Sequence, residues 1–178
     1  MSAPLLRRLL GPAMDTLPAV LRAVHDQPGA RTLAGTAQVW RSANPLARLL
    51  CNLMRLPAAG VDVPVSVAFE RNGDHERWHR RFAGRAYSSR LTSRGGRLVE
   101  RMGPATTIFR VGVNAERLHL DLIGFRFLGV PLPSFLRPHC HAIEADAAGA
   151  FAFDIPVSLP GLGPVIRYSG RLAPIGSN

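Results

Sequence analysis

Gly60-Val61-Asp62-Val63-Pro64-Val65-Ser66-Val67-Ala68-Phe69 is the stretch on which the fold of this chain turns. Val61, Val63, Val65, Val67 and Phe69 alternate with polar or small residues, the period of two expected of a half-buried strand. Three residues on, Asn72-Gly73 is the strongest short hairpin signal, because both central positions of the tight turn need positive φ. The return strand carries Trp78 and Phe82 on one face. Working outward, strand-like segments follow at about Arg85–Ser93, Arg97–Met102, Thr106–Val113 and Arg117–Phe127. Beyond a proline-rich loop, Gly129 to Pro138, three more fit His139–Ala145, Ala150–Leu159 and Pro164–Leu172. Leu33 to Val39 is strand-like too, with Gly35 at a suspected bulge. Turns this short leave no room for parallel crossovers, so the strands must form an antiparallel meander. A long meander curls to remove its edges. The expected fold is therefore α+β, mostly β: about nine or ten strands, spanning about 61–173, in a barrel or half-barrel.

Two amphipathic helices should precede most of the meander and cover its open face. One is predicted over about 15–26, with Asp15 as N-cap, Leu17, Val20, Leu21 and Val24 on one face, and Pro28-Gly29 at its end. The second is predicted over about 44–55, with Asn44 as cap, Pro45 in the first turn, and a stripe of Leu46, Leu49, Leu50, Leu53 and Met54. With no linker, repeat or low-complexity tract, residues 1–178 read as a single domain.

Composition narrows the class. Hydrophobic residues make up 47% and charged ones 19%, which excludes a disordered chain. All 22 basic residues are arginine, against 12 acids, for a net charge of +10. The absence of lysine fits a GC-rich, bacterial coding bias. The basic balance itself predicts attraction to an anionic membrane surface or an acidic protein. Nine arginines fall between Arg71 and Arg101, interleaved with Trp78, Phe82 and Tyr87, but no nucleic-acid motif accompanies them. Cys51 and Cys140, far apart, suggest free thiols in a reducing compartment. No signal peptide is evident at the start, and no window approaches the ~20 apolar residues of a spanning helix. The expected location is cytoplasmic.

Of the apparent motifs, His75-Glu76-Arg77-Trp78-His79 matches the zinc-protease pattern in its letters. That chemistry requires a helix. On a strand, Glu76 points away from both histidines, so metal is not expected there. His139 and His141 share a strand face and could offer two metal positions, with His119, Asp121 or Glu144 as partners, yet a catalytic zinc needs three ligands. Polar residues that could line a barrel interior are Trp78, Arg80, Glu100, Arg101, Asp154, Arg167 and Tyr168. They form the candidate ligand-binding set, because a carboxylate in such a place must be paired or shifted in pKa. No nucleophile elbow, phosphate loop or dinucleotide fingerprint is present, and no catalytic residue, metal or cofactor is assigned.

Over nearly the whole chain the sequence resembles an uncharacterised family, domain of unknown function 4166. The resemblance rests on Leu9-Leu10-Gly11, Leu17-Pro18, His25, Leu56-Pro57, Gly60 to Val65 and Phe69-Glu70-Arg71. It continues through Glu76, Trp78, Arg80-Arg81-Phe82, Gly84, Ser88-Ser89, Glu100-Arg101, Gly103-Pro104 and Leu128 to Pro133. Phe153-Asp154, Arg167-Tyr168, Gly170 and Leu172-Ala173-Pro174 complete it. The family's usual tryptophan near the end is Arg171 here. The resemblance implies an accessory role beside a reductase, since members also occur fused behind a saccharopine-dehydrogenase-like Rossmann domain.

The leading expectation is a non-enzymatic binding module for an apolar or amphipathic, lipid-like ligand. The alternatives are an enzyme or subunit of the oxidoreductase neighbourhood, using Glu100, Arg80 and Tyr168, and a protein-interaction domain.

Overall fold

A computed structural model describes residues 3–27 and 29–175. The chain begins with α1 (Leu5–Leu10), a 3-10 turn (Gly11–Thr16) and α2 (Ala19–His25). Strand β1 (Arg31–Arg41), helix α3 (Pro45–Leu53) and strand β2 (Gly60–Asn72) follow. Then come β3 (His75–Phe82), β4 (Arg85–Arg94), β5 (Arg97–Met102), β6 (Ala105–Asn114) and β7 (Arg117–Phe127). The last elements are a two-residue β8 (Val130–Pro131), β9 (His139–Ala147), β10 (Ala150–Leu159) and β11 (Gly163–Pro174). Every pairing is antiparallel between strands adjacent in sequence, save that β7 pairs β9 across the β8 loop and β1 closes on β11. With β8 a short appendage to β7, the sheet is a closed barrel of ten strands.

The deciding stretch folds as its alternation requires. Val65, Val67 and Phe69 are buried inside. At the strand's start the pattern breaks: Asp62 takes φ 51° and throws Val61 outward, 75% exposed. Gly35 proves to be a close-approach position rather than a bulge; the bulge falls between Ala37 and Val39. A Cβ at Gly35 would sit 2.0 Å from the Arg171 carbonyl oxygen, and one at Gly170 2.4 Å from that of Thr36. The strands that close the barrel cross here with backbone nearly touching side-chain space, which only glycine permits.

The two ends of the barrel differ. At the end where β1 begins, α1 packs on β4 and β6, and α2 on β9 and β10. Leu5, Leu6, Met14, Leu17, Leu21 and Val24 fill this end against Leu33, Leu91, Leu98, Leu118, Phe151 and Leu172. At roughly 2 kcal/mol for each large apolar side chain taken from water, this plug is a principal source of stability. The first expected helix is shortened and displaced. Pro18 holds Leu17 extended, at φ −76° and ψ 148°, so α2 cannot start before Ala19. Asp15 lies in the 3-10 turn and pairs with Arg7 rather than capping a helix. Helix α1 was not foreseen, and Pro28 lies outside the described residues. Asn44 does cap α3, its Oδ1 accepting from the Leu46 and Ala47 amides at 2.9 and 3.3 Å.

Helix α3 lies at the other end and covers it only in part. Ala47 and Cys51 are buried, but Leu46, Leu49 and Leu53, i, i+3 and i+7 on one face, lie in solvent. The helix packs against β11. In its last turn the Asn52 side chain, and just past it the Leu56 carbonyl, accept from Arg41 and Arg85. The segment thus runs along the rim of the other end, which no N-terminal helix covers.

Candidate functional site

Alternation sets which polar residues enter the barrel. On β3, Glu76, Trp78, Arg80 and Phe82 face inward; on β4, Tyr87, Ser89 and Leu91; on β5, Leu98 and Glu100; on β11, Ile166 and Tyr168. The unplugged half of the interior therefore holds a polar group on an apolar wall. Arg80 donates through Nη2 to Glu100 Oε1 at 3.0 Å and through Nη1 to Ser89 Oγ at 2.7 Å. Its guanidinium lies 5.0 Å from the Trp78 ring centroid and 5.7 Å from that of Tyr87, within cation–π range. Tyr168 joins edge-on to Phe82 at 5.6 Å, and Phe82 stacks on Tyr87 at 6.1 Å. Although Arg80 and Glu100 point into the barrel, their side chains stay 13% and 17% exposed.

The electrostatics of this group follow from depth. Burial is the largest influence and opposes the Arg80 cation, yet Glu100 together with Tyr87 and Tyr168 outweighs it and the guanidinium's pKa is raised. Burial raises the Tyr87 phenol against the opposing Arg80 charge, and lifts that of Tyr168 well above its ordinary value. Cys140, on the inner face of β9, is pushed up to about 12 by burial, with Glu100, Asp121 and Asp154 adding to it. The Tyr87 and Tyr168 hydroxyls are buried beside each other, and a hydrogen bond from Tyr168 tempers the rise at Tyr87.

Of the seven residues singled out from sequence, Trp78, Arg80, Glu100 and Tyr168 thus come together on the inner wall. The other three do not. Asp154 and Arg167 form a bidentate pair at 2.8 and 2.7 Å on the outer face, because Phe153, Ile155 and Tyr168 beside them point in. Arg101, next to inward Glu100, lies outside. It joins Arg90, Arg94 and Arg126 around an outer groove of about 620 Å³ that contains no acid.

A second inner cluster, at the plugged end, escaped the sequence reading except for its separate letters. His25 Nε2 meets Glu144 Oε2 at 2.6 Å. Glu76 accepts from the Leu5 amide, from Arg71 and from Trp78 Nε1, while Arg71 also donates to the His25 carbonyl at 2.7 Å. Through Leu5 and His25 the cluster ties the plug to β2, β3 and β9, so it latches the plug. Glu76, the middle of the protease-like motif, is spent here, and His79 faces outward to Glu70 at 3.2 Å.

On the outer face His141 contacts His119 at 3.2 Å through one ring nitrogen and Asp121 through the other. These groups form a chain rather than converging on a point, and no metal-holding cluster occurs among the described residues. Beside them a cleft of about 1060 Å³ opens where β9 leaves β7. That pairing ends at Asp121–His141, and the cleft is lined by outward Trp40, Arg110 and Arg167 and by inward Leu122, Cys140 and Val157. Both cysteines are free, and no helix among the described residues is long and apolar enough to cross a membrane.

A family model described as a domain of unknown function, DUF4166, matches residues 17–172. No curated protein matches the chain.

Proposed function

Because the chain belongs to the DUF4166 family, which brings no activity with it, the reading must come from the site, and we propose that the barrel is a binding module for an amphipathic, lipid-like ligand. One observation carries this: the charged and phenolic group Arg80–Glu100–Tyr87–Tyr168, set within the apolar inner wall of the barrel half that the N-terminal helices leave open. Barrels of this size hold one small ligand when side chains leave room. A polar headgroup meets Arg80 and the two tyrosine hydroxyls, and its tail follows Phe82, Phe153, Ile155 and Val157. The cleft beside β9, which Arg80, Glu100 and Tyr87 do not line, reaches the inner wall at Leu122, Cys140 and Val157 and exceeds the lower size of ligand pockets, roughly 300 Å³. Native mass spectrometry of protein purified from its own host should show an adduct of lipid mass. Purified protein should also enhance the fluorescence of cis-parinaric acid, an effect lost in Arg80→Leu and Tyr87→Phe. An adduct-free protein that ignores the probe would overturn the reading.

A second reading has support from one fact: Arg80, Glu100 and Tyr168, the residues an enzyme of the oxidoreductase neighbourhood would use, share the same inner face. It requires a redox cofactor. A flavin or nicotinamide absorbance in the host-purified protein would favour it, and its absence would leave the binding module.

A further inference from the structure

Among the described residues, ten large hydrophobic side chains are exposed, and their placement is one-sided. Leu46, Leu49, Leu53, Val61, Leu128, Val130, Phe135 and Leu136 lie in, or at the edge of, the connections at the unplugged end, and Trp40 is the penultimate residue of the strand that leads there. Ile175 alone is at the plugged end. Scattered surface leucines are ordinary; concentration on one end is not.

The charges are sorted the same way. The five connections at the unplugged end span 42–59, 83–84, 103–104, 128–138 and 160–162; they contain Arg48, Arg55 and Arg137 and no acid. Arg101 and Arg126, at the strand ends beside Leu128 and Val130, extend the basic surface into the acid-free outer groove. Acids gather at the other end, in Asp15, Asp26, Asp74 and Glu116 and the strand termini around them, while Asp62, exposed beside Val61 and accepting from Gln38, is the acid at the strand ends of the unplugged rim. Within the ring of strands, α3 and the 128–138 loop are separated by four strands one way and two the other, so they flank the mouth from two sides. Apolar tips interspersed with unpaired arginines around an opening match an anionic bilayer surface in both of its layers.

We propose that the unplugged end docks on an anionic membrane, with Leu46, Leu49, Leu53 and Phe135 entering the interface and Arg48, Arg55, Arg101 and Arg126 taking lipid phosphates. This deepens the binding-module reading, since it gives the amphipathic ligand a route from bilayer to barrel. Trp40 becomes the reporter. It is half exposed, whereas the only other tryptophan, Trp78, is buried.

The test is co-sedimentation with vesicles of phosphatidylglycerol and phosphatidylcholine against phosphatidylcholine alone. Wild type should bind the anionic vesicles, with a blue shift of fluorescence that Trp40→Phe removes, and should leave them as salt rises. Leu49→Ser/Leu53→Ser/Phe135→Ser should lose at least about tenfold in partition. Arg48→Gln/Arg55→Gln should lose about fivefold per arginine. All the replaced side chains are exposed, so melting temperature should hold. Wild type that ignores anionic vesicles, or a serine variant that partitions like wild type, overturns the proposal. So does self-association on light scattering that the serines abolish, which would assign the rim to a second copy. Parinaric-acid binding in vesicle-free buffer should be unchanged in both variants. Its absence in wild type would instead strike the interior reading, leaving the vesicle result to stand by itself.

Discussion

The charge pair Arg80–Glu100 is the residue on which the proposed site stands, and its energetics are testable apart from any ligand. Both side chains are more than four-fifths buried, so removing one partner strands the other in a poorly solvated place. Arg80→Met or Glu100→Leu alone should cost about 3 kcal/mol in urea unfolding, and the double replacement clearly less than the sum. Full additivity would mean the pair is solvated independently and the site is not what its geometry says. The two tyrosines offer a second measurement, since Tyr87 and Tyr168 are the only ones in the chain. Both phenols have folded-state pKa values above the ordinary ~10, and so has the Cys140 thiol, at about 12. A raised folded value means the unfolded chain releases its proton first. The stabilisation is fully present below about pH 8.5, the thiol's unfolded value, and is lost as pH climbs toward 12. Absorbance at the phenolate band should therefore stay flat through pH 10 and rise together with loss of the circular-dichroism signal. A phenolate signal with midpoint near 10 in a folded protein would place the tyrosines in solvent.

At the scale of elements, the barrel seam is the most vulnerable join. Gly35 and Gly170 let β1 and β11 approach so closely that a methyl group has no space. Gly35→Ala should lower stability by more than about 2 kcal/mol, whereas Gly84→Ala, with open space around its Cβ, should be near neutral. Equal effects on melting temperature would deny the close crossing. The strands themselves were legible because period-two alternation and Asn-Gly or Gly-Pro turns are local signals. The missing pieces were non-local. Nothing between Leu5 and Leu10 announces that its leucines find partners on β4 and β6. The stripe on α3 is legible in the sequence but its destination is not, because a helical wheel reports amphipathicity and not what lies against it. The candidate site divides along the same line. Alternation says that Glu100 and Arg101, or Arg167 and Tyr168, face opposite ways, but which of each pair looks inward depends on the closing of the barrel. Hence four of seven fell inside. His25 with Glu144 could have been suspected only from two polar letters in apolar surroundings, 119 residues apart.

For the molecule as a whole, packing is as one-sided as charge. The largest fully buried side chains are Leu5, Leu6, Met14, Leu21, His25, Leu33, Leu91, Leu98, Leu118, Ile166, Leu172 and Pro57, and all but Ile166 and Pro57 belong to the plugged half. At the other end Val39, Val65, Phe82, Ala105 and Val165 are buried as well, but Val63, Leu122, Ile155 and Val157 are only partly so, and from the connections Ala47, Cys51, Leu56, Pro57 and Leu162 reach the core. Local opening free energy follows buried contact density, so the two ends should exchange amide hydrogens on different scales. Amides of α2 and of the halves of β2, β3 and β11 near it should exchange only through global unfolding. Those of α3 and of 128–138 should exchange faster by orders of magnitude in hydrogen-exchange mass spectrometry. Anionic vesicles should then slow exchange in α3 and 128–138 and leave the plug unaffected, because membrane contact protects only what it covers. Protection appearing first at the plug, or spread evenly over the barrel, would separate the stable end from the docking end in a way this architecture forbids. A barrel with one end sealed by its own helices and the other lined by leucine and arginine has a single face on which to meet a surface, and exchange measured with and without that surface reads out which face it is.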